Sequence, residues 1–246
     1  MQLNCERFDG IHQYGTRKNL DYFILEGNNI DYGLNNDLKM FLYSTEEKDG
    51  FKKITEKMMK KMTGNKFVNR VGVALKFNRE IISLSQRFDM NKPFIICDNI
   101  QDFGNLGSIF RNCFSFGFEN VVVLLENMDL YNHKVFESSR GIFFHLKPLC
   151  ITRQEFLKFY NELPKKFNLF SVDMEGQNCK EINGISGISG ISGSSNNFGL
   201  VFGNETYGIS LEIRNLCEKN ISIKTQFESL NVSVANGIIL HQFSQI

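Results

Sequence analysis

Three polar clusters hold the residues of this 246-residue chain whose types and spacing suit chemistry. The first runs Asp98-Asn-Ile-Gln-Asp-Phe-Gly-Asn105-Leu-Gly107 and leads to Arg111. The second is Phe202-Gly203-Asn204-Glu205-Thr-Tyr-Gly208-Ile209-Ser210. The third is Glu228-Ser229-Leu230-Asn231-Val232-Ser233-Val234-Ala235. Each is a loop rich in Gly, Asn, Ser and carboxylate, and the first ends on a guanidinium. Singly they are weak, because Gly and Asn in loops mostly serve turn geometry. Asn231 also reads as a helix N-cap and Glu205 as a turn charge. Together they suggest one composite ligand pocket, since open α/β sheets collect ligands beyond the carboxyl ends of their strands. The familiar dinucleotide, phosphate-loop, zinc-protease and serine-hydrolase signatures are absent. The four histidines, His12, His133, His145 and His241, stand at no metal spacing, and no metal is expected.

Strands and helices must hold these loops. A small α/β unit is predicted first, with strands at 22–25 and 39–43, helices at 28–38 and 51–62, and a strand-like stretch at 67–77. Residues 83–92 read as a linker, stopped by Pro93. Beyond it, strands are predicted at 94–97, 121–125, 167–172, 200–202 and 221–223. Helices fall at 106–116, 154–162, from 211, and at 230–243. This alternation argues for a parallel sheet covered on both faces. Asn105 is expected to cap the helix at 106–116, with Arg111 on an early turn. A Gly-Ile-Ser repeat inside 183–197 is too rich in Gly and Ser to pack, and reads as a flexible insertion.

The clusters also carry a family resemblance. Asn105-Leu-Gly with Arg111, Phe202-Gly-Asn-Glu with Gly208-Ile-Ser210, and Ser229-Leu-Asn-Val-Ser-Val-Ala235 resemble, in order, the three motifs of the SpoU/TrmH family of RNA ribose 2′-O-methyltransferases. Ser139-Arg-Gly141 is a weaker fourth match. The resemblance implies a SPOUT-type α/β parallel sheet with a C-terminal trefoil knot over residues 89–246. Residues 1–88, with Glu26-Gly27 after a strand, resemble the small substrate-binding domain that precedes it in many members. It further implies S-adenosylmethionine as cofactor, an RNA substrate and a homodimer. Arg111 would be central to catalysis, with Asn105, Glu205, Ser229 and Asn231 around it. Gly203, Ile223 and Leu230 would meet the cofactor. One departure stands out: Ile223-Lys-Thr-Gln-Phe-Glu-Ser229 is shorter than the family pattern and lacks its Pro and Gly.

Composition sets the remaining bounds. Apolar residues at 42% and charged residues at 22% exclude a collagen, a disordered chain and a polytopic membrane protein. Net charge is only +1, yet residues 51–80 hold nine basic side chains against Glu56 and Glu80. That segment is either a solvated face or a phosphate footprint. Six scattered cysteines without a C-x-x-C point to reduced thiols, and no signal or membrane segment is predicted. A cytoplasmic protein is expected, with an organellar one left open. The expected activity is methyl transfer to rRNA. The alternatives are tRNA, or a non-catalytic RNA-binding or ribosome-assembly role on the same fold.

Overall fold

Apolar side chains fill the middle of Tyr22–Glu26 (β1), so its centre is buried. The chain then turns at Gly27 (φ +55°) into Asn28–Asn35 (α1). Met40–Ser44 (β2), Lys52–Lys53 (β3), Glu56–Thr63 (α2) and Arg70–Leu75 (β4) follow. The four strands lie in the order β1-β4-β2-β3. β4 is antiparallel to both neighbours, and β3 is parallel to β2. The helix predicted from residue 51 starts later. Thr55 Oγ1 accepts from Met58 N at 3.2 Å and caps α2, which leaves Lys52 and Lys53 to pair beside β2. The computed structural model describes residues 10–11, 13, 20–76, 88–125, 129–163, 167–182, 198–226 and 229–244. Residues 83–87 of the expected linker and the whole 183–197 insertion lie outside these.

The second unit runs Phe94–Asp98 (β5), Phe103–Ser115 (α3), Asn120–Leu124 (β6), His133–Ser139 (α4), Ile142–Leu146 (α5) and Leu149–Ile151 (β7). It continues through Arg153–Glu162 (α6), Asn168–Asn178 (β8), Phe198–Gly203 (β9), Leu211–Arg214 (α7), Cys217–Ser222 (β10) and Val232–Phe243 (α8). Its six strands lie in the order β10-β8-β9-β5-β6-β7, with every pair parallel. β5 and β6 are buried along their whole length, as a sheet covered on both faces requires. The α/β expectation therefore holds. Residues 133–151 yielded no elements from the sequence. Their two helices are short, and left-handed Arg140 (φ +52°) and Lys147 (φ +47°) break the periodicity.

The order β9-β5 matters for function. It puts the loops leaving both strands on one edge of the sheet. The two units also share a core, since Phe23 of β1 lies 4.7 Å, ring centre to ring centre, from Tyr131 and packs on Phe136 and Phe144.

Candidate active site

The first motif opens α3, but Asn105 does not cap it. Asp102 does, its Oδ1 accepting from Asn105 N at 2.7 Å. Asn105 is thus inside the helix, with its carboxamide released for other partners. Arg111 sits in the third turn of α3 rather than an early one, exposed and without a hydrogen bond or ion pair among the described residues. Gly107 lies where α3 crosses α4. A Cβ there would stand 1.9 Å from Ser138 Oγ, so only glycine permits the approach.

The second motif leaves β9 as a tight loop. Asn204 and Gly208 exchange backbone hydrogen bonds of 3.0 and 2.9 Å. Asn204 Oδ1 accepts from Thr206 N and Tyr207 N, and its Nδ2 donates to Asn99 O at 3.0 Å, fastening the loop to that of β5. A Cβ on Gly203 would lie 2.5 Å from the Gly208 carbonyl carbon. The closed loop, more than backbone access for a ligand, explains that glycine.

The third motif begins α8, and Asn231 is its N-cap. Its Oδ1 accepts from Ser233 N at 2.9 Å and Ser233 Oγ at 2.7 Å. This occupies the oxygen, so Nδ2 faces outward and donates to Asn105 Oδ1 at 3.0 Å. Asn105 must then turn its own Nδ2 to Glu205 Oε1, at 2.5 Å. The helix cap alone fixes both amide orientations. Asn231 is therefore a helix N-cap whose amide also reaches Asn105, and Glu205 is a partnered carboxylate rather than a bare turn charge.

Asp98, at the end of β5, is fully buried and was given no role from the sequence. Its carboxylate accepts from Ser210 N (2.7 Å), Ser210 Oγ (2.6 Å) and Arg153 Nε (3.0 Å). It anchors the far end of the second motif, and the hint was a carboxylate closing a buried strand, where it needs partners. Cys97 and Cys217 are no nucleophiles here, because burial pushes both thiols up to about 12.

The second and third motifs line a cavity of about 470 Å³, and the first reaches only its rim, through the hydrogen bond of Asn105 to Glu205. Gly203, Ile223 and Leu230, the expected cofactor residues, all line it, and so do Glu205 and Ser229. Asn105, Asn231 and Arg111 do not. Lys224 and Thr225 of the shortened loop also form wall. A further wall went unforeseen. Pairing of β8 with β10 jumps from Ser171↔Asn220 to Gln177↔Ile221, so residues 172–176 bulge out and carry Asp173 and Met174 to the cavity. Arg214 holds Asp173 there. The sequence reading ended that strand at Val172. Its one trace of the bulge is Gly176, where a Cβ would meet Asn220 O at 2.4 Å.

Residues 92–241 match the model of the SpoU rRNA Methylase family. The chain belongs to this family. A 23S rRNA (adenosine(1067)-2′-O)-methyltransferase of Streptomyces laurentii is 29% identical to it over 151 residues, 60% of this chain and 52% of that protein. A mitochondrial rRNA methyltransferase 1 of Dictyostelium discoideum is 26% identical over 197 residues, 76% of this chain and 34% of that protein. The chain thus spans about a third to a half of these curated relatives. Among solved structures, the SpoU methyltransferase AviRb of Streptomyces viridochromogenes superposes with a TM-score of 0.75 at 18% identity, over 97% of this chain and 95% of that one. AviRb in complex with its cofactor AdoMet gives 0.72 at 17%, over 98% and 97%. The likeness in fold therefore takes in the small unit as well as the SpoU unit.

Proposed function

We propose that this SpoU-family chain transfers a methyl group from S-adenosylmethionine to a ribose 2′-hydroxyl of RNA, with rRNA as the substrate. The hydrogen-bonded line Asn231–Asn105–Glu205 carries the reading, because it ties three separate motifs to the rim of one cavity. The cavity suits the cofactor. Its volume falls in the usual range for small ligands, roughly 300–1,000 Å³. Ile209, Ile223 and Val232 give it apolar walls, and Gly203 lines it between them. When bound, the cofactor supplies a methyl activated on a sulfonium. The chain must align the acceptor hydroxyl and help release its proton. Glu205 faces the rim as an acceptor held by Asn105. Ser229 and Asn231 orient the ribose. Arg111 holds the neighbouring phosphate, since a guanidinium keeps its proton at neutral pH.

A homodimer completes this reading. Arg111 does not line its own chain's cavity, and α3 and α8 expose Phe114, Val234 and Ile238. A second copy covering that face brings its cavity to Arg111. The C-terminal trefoil knot belongs to the same proposal. It is supported by β10 lying at the sheet edge while α8 returns to pack on α3 and β9. Residues 1–88 are assigned to substrate capture and 89–246 to methyl transfer. Free Cys97, Cys113, Cys150, Cys179 and Cys217 suit a reducing compartment, the cytoplasm or an organelle. No helix among the described residues is long and apolar enough to cross a membrane.

The experiment is methyl transfer from labelled S-adenosylmethionine to bulk rRNA and tRNA separately, with alkali-resistant label as the mark of 2′-O-methylation. Label in rRNA is expected. Label confined to tRNA moves the substrate class. Cofactor binding without transfer to either restores the non-catalytic RNA-binding alternative.

A further inference from the structure

Two motifs that methyl transfer leaves unused, Glu26-Gly27 and Ser139-Arg140-Gly141, meet at one cleft of about 400 Å³. Glu26, Asn29, Tyr32 and Val68 of the small unit form one wall, and Glu137 and Arg140 the other. The joint is built tightly. A Cβ on Gly141 would lie 2.9 Å from Tyr32 Cβ, and its φ is +84°, so glycine alone suits the crossing.

The walls are polar and short of internal partners. Glu26 ends β1 half-buried, and burial together with the charge of Glu137 pushes its carboxyl up to about 7. The Glu26, Glu137 and Arg140 side chains have no hydrogen bond or ion pair among the described residues. A desolvated carboxyl without a donor is costly, and a ligand that brings N–H groups removes the cost. The cleft also adjoins the active site. Ser138, next to Glu137, donates from Oγ to Phe103 O at 3.3 Å and packs on Gly107, so α3 with Asn105 and Arg111 is one helix away.

We propose that this cleft takes an unpaired guanine of the RNA substrate, its N1–H and 2-amino edge on Glu26 and its phosphate near Arg140. The inference rests on the RNA reading above. Guanine is singled out by the acceptor-only chemistry of the ionised carboxylate, whose two oxygens match two adjacent donors, and those donors draw Glu26 into that form. Uracil offers one N–H between carbonyls, and adenine and cytosine set an amino group beside an acceptor nitrogen. Tyr32 lines the cleft, and aromatic side chains are the kind that hold splayed-out bases in single-stranded RNA recognition.

The test uses the full chain and short labelled single-stranded RNAs identical except for one central guanosine, inosine or adenosine. Inosine lacks only the 2-amino group. Guanosine should bind about 10-fold more tightly than inosine, the discrimination of one lost donor–acceptor contact at a bidentate edge. Glu26→Gln, checked for folding by circular dichroism, should bring that ratio close to one. Equal affinity of the wild-type chain for guanosine and inosine overturns the proposal without any variant. A ratio kept in Glu26→Gln overturns the role of Glu26. Guanosine monophosphate competing as strongly as the RNA overturns RNA as the source of the base. Cofactor calorimetry on the same preparation reads the methyltransferase proposal separately.

Discussion

Asn105 and Glu205 lie 100 residues apart in sequence and share a 2.5 Å hydrogen bond from Asn105 Nδ2 to Glu205 Oε1. The amide is committed, because its oxygen already accepts from Asn231. Asn105→Asp removes the donor and sets a second carboxylate against Glu205. Turnover should fall about 100-fold, the loss of a charge-assisted contact plus like-charge repulsion. The melting temperature should move little, since the group is solvent-accessible. Labelled methyl transfer and a thermal melt decide it.

Arg111 is exposed and outside its own chain's cavity. Arg111→Ala should therefore leave S-adenosylmethionine affinity within about threefold and lower turnover more than 100-fold, the scale of one positioned transition-state contact. Arg111→Lys should not restore it, because an ammonium cannot reproduce the planar fork. Calorimetry paired with transfer kinetics separates binding from turnover.

Gly107 faces Ser138, where a Cβ would sit 1.9 Å from Oγ and 2.8 Å from Ser139 N. Gly107→Ala should cost about 1–3 kcal/mol, typical of overpacking. Trimming Ser138 to glycine should not rescue it, since the clash with the Ser139 backbone remains. Denaturant melts of the single and double variants measure both statements.

Glu26 has a folded-state value of about 7, above the ordinary 4.5, owing to burial and then Glu137. A raised carboxyl contributes stability below its unfolded value and loses it as pH climbs through the folded one. The wild-type chain should lose stability between about pH 5 and pH 8 from this group, with Glu137 and Arg140 the charged neighbours on α4 and just after it. Glu26→Gln should flatten that slope and melt higher than wild type at about pH 8. Thermal melts across the window would expose the opposite sign at once.

Lys52, Lys53 and Lys60 are exposed on β3 and α2, and Lys53 also meets Glu47 at 3.0 Å. Changing these with Lys61 to Gln should weaken RNA binding and flatten its salt dependence by about 0.7–0.9 per lost phosphate contact. Identical slopes for variant and wild type would leave the segment a plain solvated face.

The sequence by itself determined the longer elements and the motifs, though not the short ones at 52–53 and 133–151. Continuous apolar runs marked β5, β6 and β9 as buried parallel strands, and of the three polar loops expected to form one pocket, those after β9 and ahead of α8 line the cavity while the one after β5 meets its rim through Asn105. Tertiary structure decided everything that depends on distant segments touching. Asp102 rather than Asn105 caps α3, because Asn105 has better partners in Glu205 and Asn231. The bulge at 172–176 appears only when β8 is registered against β10. Gly141 shows its purpose only once Tyr32 lies against it. Local patterns record what a residue prefers among its near neighbours. Strand order, register and close approach are set by burial between segments far apart, which no window of sequence contains.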